Sequence, residues 1–143
     1  MIRVFLDASV LFAAAYSTTG ASREIIRQGI RGRVKLVASE LVFEGARRNL
    51  KFKAPEAVPD LETFHQAATI EMVRPSREEI EEAMVYTADK DAPVVAAARK
   101  AEVDYLVGLD REHLVEVSEV VQRSGLAIVL PGDVLKKTRA RKG

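Results

Sequence analysis

Short apolar runs and helical stripes alternate along this chain. Val4-Phe5-Leu6 lies between Arg3 and Asp7, and a β-branched and aromatic run halted by an acid predicts a buried strand over residues 3–7 with Asp7 at its C-terminal end. The Ala- and Leu-rich residues 8–15 predict a helix, Ser17-Thr18-Thr19-Gly20 a turn, and Ser22 with Glu24 opens a second helix running to Gly32. Residues 34–38 are the second expected strand. Ser39 has the side chain of an N-cap, and Leu41, Val42, Ala46 and Leu50 follow it at helical spacing, which puts Glu44 in the first two turns. Pro55 and Pro59 interrupt the pattern before a helix over 60–68, and residues 70–73 form a third strand ended by Pro75. Ser76-Arg77-Glu78-Glu79 has capping-box spacing and opens a helix carrying Ile80, Ala83 and Met84, with Glu78, Glu79, Glu81 and Glu82 as its solvated face. Asp91-Ala92-Pro93 predicts an N-cap with proline in the first turn of a helix over 94–101. Strands over 103–107 and 126–130 follow, the first leading to Asp110 and the second stopped by Pro131-Gly132.

Strands alternating with helices predict an α/β fold with a central, mainly parallel sheet of about five strands covered on both faces. A length of 143 residues fits one domain, here residues 1–135, followed by a basic C-terminal tail over 136–143. Apolar runs stay well short of the roughly 20 residues that span a bilayer, and Asp7 interrupts the N-terminus before any signal-peptide stretch develops. A cytoplasmic protein without a membrane segment is expected. The chain has no cysteine, which excludes disulfides, thiolate catalysis and Cys-type zinc sites, and the distant His65 and His113 do not suggest a His-rich metal site. Carboxylates remain as the candidates for metal chemistry.

In an open parallel sheet, ligands collect beyond the C-terminal ends of the strands. Asp7 and Asp110 fall at that edge, Asp91 lies at a helix start, and Glu44 lies in the helix after the second strand, so four acids from four segments can meet. Each has an ordinary explanation too: Asp91 as an N-cap, Glu44 as a solvent-facing helix residue, Asp110 as a turn residue. Asp7, following Val-Phe-Leu, is the hardest to explain that way. Two carboxylates 4 Å apart repel by about 4 kcal/mol at an effective dielectric of 20. Protonating one relieves this, but Mg²⁺ or Mn²⁺ suits an all-oxygen site better. Such ions polarise a phosphodiester and stabilise the leaving oxygen of an in-line displacement, which is phosphodiester hydrolysis.

Net charge is +1, yet Lys136, Lys137, Arg139, Arg141 and Lys142 place five positive charges in the last eight residues, leaving −4 on the body. A polyanion is therefore drawn to the tail and to Arg47, Arg48, Lys51 and Lys53. Arg47 and Lys51 share a helix face and, with Lys136, Lys137 and Arg139, are the candidate RNA contacts; a tail that serves only solubility is the alternative. Few aromatics interleave with these basic residues, so base stacking is not expected.

The order of these motifs resembles the PIN-domain family, whose members include the VapC-type toxins of bacterial and archaeal toxin–antitoxin pairs. Val4-Phe5-Leu6-Asp7-Ala8-Ser9 is similar to the family's opening strand with its first acid and a nearby hydroxyl, and Ser39-Glu40-Leu41-Val42-Phe43-Glu44 to its second segment. Lys90-Asp91-Ala92-Pro93-Val94-Val95-Ala96-Ala97-Ala98 is similar to the third motif, and Asp104-Tyr105-Leu106-Val107-Gly108-Leu109-Asp110 to the fourth. The likeness spans nearly the whole chain. It implies a three-layer α/β/α fold and Mg²⁺- or Mn²⁺-dependent ribonuclease activity, with Asp7, Glu44, Asp91 and Asp110 as the catalytic and metal-binding acids. It also implies an RNA substrate, a homodimer and, for a toxin, a cognate antitoxin.

One departure stands at Gly108, where the family often has Thr or Ser two residues before its last acid. Ser9 and Ser39 are the candidates to supply the missing hydroxyl, and Glu112 is a candidate further carboxylate, with a helix-terminus charge as its ordinary reading. Neither histidine is given a catalytic role. Haloacid-dehalogenase phosphatases also begin with a strand ending in Asp, but they need a second Asp where this chain has Ser9. Response-regulator receivers need paired acids beside the first strand, which Asp7 lacks. The remaining alternative is a PIN-like module that binds RNA or a partner without turnover.

Overall fold

The computed structural model describes residues 1–109 and 118–142. Its sheet contains β1 (Arg3–Leu6), β2 (Lys35–Ala38), β3 (Glu71–Met72), β4 (Tyr105–Val107) and β5 (Ile128–Val129), all parallel, in the order β3-β2-β1-β4-β5. Val4, Phe5 and Leu6 are completely buried, because β1 is central and both of its faces are covered; such a strand reads as a continuous apolar run rather than an alternation. Val4 is aligned with Leu36 on one side and Tyr105 on the other.

The helices are α1 (Ala8–Tyr16), α2 (Ala21–Ile30), α3 (Glu40–Lys53), α4 (Val58–Ala67), α5 (Arg77–Met84), α6 (Ala92–Lys100), α7 (Ser118–Ser124) and α8 (Pro131–Lys142). Right-handed crossovers put α1 to α4 on one face as the chain steps outward from β1 to β3. They put α5, α6 and α7 on the other face as it returns through β4 to β5. Packing agrees, with α1 against α2, α3 and α4, α5 against α6, and α8 against α2. The three-layer α/β/α fold and the five-stranded sheet expected from the sequence are therefore present.

Local signals explain most boundaries. Ser39 caps α3 by accepting from the Val42 N–H at 3.4 Å. Ser76 and Glu79 complete a capping box on α5, at 3.1 Å and 2.7 Å. Gly29 lets α2 approach β2, because a Cβ there would lie 2.4 Å from Leu36 Cδ1. At the amino edge of the sheet, the Arg3 guanidinium pairs with both Glu71 carboxylate oxygens at 2.7 Å and 3.2 Å and donates to the Ala101 carbonyl. One side chain thus ties β1 to β3 and to the end of α6.

One expectation needs correction. Pro59 does not break the chain but sits in the first turn of α4, after a 3-10 turn over Pro55–Ala57; a missing N–H costs nothing where no intrahelical acceptor exists. Pro131 follows the end of β5, as expected, and is also the first residue of α8, on which Lys136, Lys137 and Arg139 stand. Helix α7 carries no strong signal in the sequence of residues 118–124.

Candidate metal centre at the carboxyl edge of the sheet

The chain leaves β1 toward one end of the sheet and reaches β4 from the other, so the adjacent C-terminal ends of β1 and β4 form the topological switch point where α/β sheets open a crevice. Asp7 is the first residue beyond β1. Its N–H continues the ladder by donating to the Val107 carbonyl at 3.0 Å, and its own carbonyl accepts from Val10 and Leu11 at the start of α1. The backbone therefore fixes where this carboxylate stands. The Ser9 hydroxyl donates to Asp7 Oδ2 at 3.1 Å and accepts from the Leu109 N–H at 3.1 Å. Ser9 thus joins the first acid to the segment that leads into Asp110, a link that Gly108 has no side chain to make.

Asp91 arrives from the opposite layer at the N-terminus of α6. Its backbone is anchored, with its N–H donating to Ala88 and its carbonyl accepting from Val94 and Val95. Although it occupies the N-cap position, its side chain makes no cap hydrogen bond, and Oδ2 is shielded from solvent. Its negative charge reaches Asp7. Burial, foremost, raises the Asp7 pKa above the ordinary carboxylate value, and the negative charge of Asp91 adds to the rise. The N–H groups of Ala8 and Ser9 and the Ser9 hydroxyl pull the other way without reversing it.

Glu44 is exposed on α3. It lines a depression of about 500 Å³ with Ser39, Leu41, Met72 and Pro93, the last in the first turn behind Asp91. Neither Asp7 nor Asp91 lines this depression, and among the described residues no three Asp, Glu or His side chains are gathered closely enough to hold a metal. Asp110, Glu112 and His113 lie outside the described residues. Of the hydroxyl candidates, Ser9 touches an acid, whereas Ser39 is buried and caps α3.

The basic candidates are dispersed. Arg47 is engaged by both carboxylate oxygens of Glu62 on α4, which lowers the Glu62 pKa, while Lys51 is exposed. Lys136, Lys137 and Arg139 are exposed on α8, and Arg139 borders a small cavity with Glu24 and Gln28 of α2. The sequence reading missed an aromatic cleft beside Ser9, built on Phe12 and Tyr16 of α1 and Lys53 of α3. Its signal was the spacing of the two rings, four residues apart and hence on one helix face.

A PIN-domain family model matches residues 3–112. The chain belongs to the PIN-domain family. Members are typically nucleases and generally use divalent metals. Among solved structures, PAE2754 from Pyrobaculum aerophilum is similar with a TM-score of 0.67 and 18% identity, over 97% of this chain and 96% of that one. VapC20 of Mycobacterium tuberculosis, a sarcin-ricin loop cleaving toxin, is similar with a TM-score of 0.56 and 15% identity, over 76% of this chain and 91% of that one. At such identities the likeness is one of fold. No curated protein sequence matches this PIN domain. Among its described residues, no helix is long and apolar enough to cross a membrane.

Proposed function

We propose that this PIN domain is a metal-dependent endoribonuclease that hydrolyses RNA phosphodiester bonds, and that it is the toxin of a toxin–antitoxin pair. The observation that carries the reading is the Asp7–Asp91 pair. Two carboxylates from opposite helical layers act on each other at the switch point, Asp7 held by the Ser9 hydroxyl and Asp91 making no cap hydrogen bond. Their oxygen-only donor set fits Mg²⁺ or Mn²⁺, and a site whose burial disfavours bare negative charge favours a cation there. Asp7 and Asp91, with Glu44 and Asp110, would hold the ion, which when bound stabilises charge developing on the phosphodiester. Ser9 orients the Asp7 carboxylate and ties it to Leu109. Lys51 and the basic side of α8, with Arg47, add long-range attraction for the RNA, and Glu112 is a further carboxylate near the last acid.

The toxin assignment extends the motif order of the sequence and the fold likeness to VapC20, a sarcin-ricin loop cleaving toxin. It carries with it a cytoplasmic location, a homodimer and an antitoxin encoded beside it.

Cleavage of a labelled single-stranded RNA with Mg²⁺, Mn²⁺ or EDTA tests the nuclease. Metal-dependent cutting is expected of the wild type and absent from Asp7→Asn and Asp91→Asn, both of which still bind RNA. Binding without cutting under every metal moves the assignment to a binding module, the reading that the glycine at position 108 favours.

A further inference from the structure

Phe12 and Tyr16 stack with centroids 5.5 Å apart and ring planes 16° from parallel. Stacked rings are common inside cores, but Tyr16 is 60% exposed, so its burial does not account for the arrangement. The Lys53 ammonium, from the end of α3, lies 5.8 Å from the Phe12 ring centroid. These three side chains, with Ser9, Asn49 and Leu109, line a cleft of about 480 Å³, within the usual size range of small-ligand pockets.

Its location gives the cleft meaning. One end is Ser9, whose hydroxyl is bonded to Asp7, and Leu109, whose N–H is bonded to Ser9. From there the cleft follows α1 for about 10 Å to Tyr16, at 1.5 Å of rise per residue. It therefore opens beside the acids. Proteins that hold single strands combine an aromatic face for a base with a cation for the backbone, and both are here. Asn49 adds an amide that can donate to and accept from a base edge.

We propose that this cleft seats one unpaired base of the RNA, next to the phosphate held at the acids, with the base stacked on Tyr16 and its backbone phosphate near Lys53. The position of that phosphate rests on the nuclease reading. The substrate class follows from the chemistry: an exposed aromatic face can stack only with a base already out of its duplex, so the RNA is single-stranded or looped at this point. A base stacked here departs from the expectation from sequence, which rests on the lack of aromatics interleaved with the basic residues. Rings on α1 and a lysine more than thirty residues away do not look interleaved until the fold brings them together.

The test uses the full chain, EDTA to prevent cleavage, and single-stranded oligoribonucleotides carrying one 2-aminopurine at successive positions. Stacking quenches the probe at one register in the wild type. Tyr16→Ala weakens binding by roughly 5- to 100-fold, the range expected for losing one base–aromatic stack, while Tyr16→Phe stays close to wild type. Lys53→Gln weakens binding and lowers the salt slope by about one contact. Absence of quenching at every register, or equal affinity of wild type and Tyr16→Ala, overturns the proposal. So does a Tyr16→Ala variant that changes self-association but not RNA binding, which makes the cleft a protein-docking face. Cleavage with Mn²⁺ separates the two readings: Tyr16-dependent quenching without cutting keeps the cleft and removes the nuclease, whereas cutting with a KM unaffected by Tyr16→Ala does the reverse.

Discussion

Replacing Asp7 by asparagine should stabilise the metal-free protein while removing its activity. The substitution keeps the shape and leaves an oxygen to accept from Ser9, but it removes a partly buried charge that faces Asp91. The lost favourable contributions are a charge-assisted hydrogen bond and an interaction with the α1 N-terminus, the latter worth about 0.3–1 kcal/mol. Because the folded-state pKa of Asp7 is raised, burial and Asp91 outweigh them. A net gain of about 1 kcal/mol is typical when a charge of this kind is removed from a site, equivalent to a rise in Tm of about 2–6 °C for a chain of this length. The pH dependence has a definite sign. A carboxylate with a raised folded pKa contributes most to stability below its ordinary value, and that contribution is lost as pH rises through the folded pKa. The gap between variant and wild type is therefore small in acid, opens as pH rises, and is complete at neutral pH. Calorimetry in EDTA from pH 3.5 to 7.5 measures it. Adding Mn²⁺ to about 100 times its Kd should then raise wild-type stability by about 2.7 kcal/mol and leave the variant nearly unchanged. A variant less stable than wild type at neutral pH without metal, or a gap that ignores pH, refutes the reasoning.

Other perturbations read other parts of the structure. Gly29→Ala gains up to about 1 kcal/mol of helix propensity but drives a Cβ into Leu36, an overpacking cost of about 1–3 kcal/mol; urea denaturation should show net destabilisation, partly relieved by adding Leu36→Val. Glu71→Gln breaks the Arg3 pair, whose exposure limits the loss to about 1 kcal/mol or less. Since Arg3 lowers the Glu71 pKa, this loss is full at neutral pH and disappears as pH falls through the folded pKa, which acid titration of the melting temperature will show. Ser9→Ala removes both hydrogen bonds to the acid and to Leu109, costing about 1 kcal/mol of stability and, in a cleavage assay, lowering kcat more than it raises KM.

The parts of this molecule visible in its sequence are those set by local chemistry. The strand ending at Asp7, the Ser39 cap, the Ser76 capping box and the start of α6 at Asp91 each follow from a few adjacent residues, and each is present. What long-range contact decides was not visible. Strand order depends on crossovers, and the Arg3–Glu71 pair spans a strand between them. The start of α8 lies between these cases: Pro131 reads as the end of a strand, and Asp133 two residues on accepts from the Leu130 N–H at 3.0 Å, half of a capping box with proline at the first helical position. At the candidate site, motif order singles out Asp7 and Asp91 as acids to test, whereas the engagement of Arg47 by Glu62 and the aromatic cleft depend on the packing of α3 against α4 and α1.

Equilibrium binding of Mn²⁺, followed by the electron paramagnetic resonance of the free ion, tests the acid pair most directly. The account predicts binding by the wild type, weakened at least about tenfold by Asp7→Asn and by Asp91→Asn and unaffected by Glu56→Gln on an exposed turn away from the site. Equal binding by the wild type and both aspartate variants would contradict the account, as would no binding by any of them.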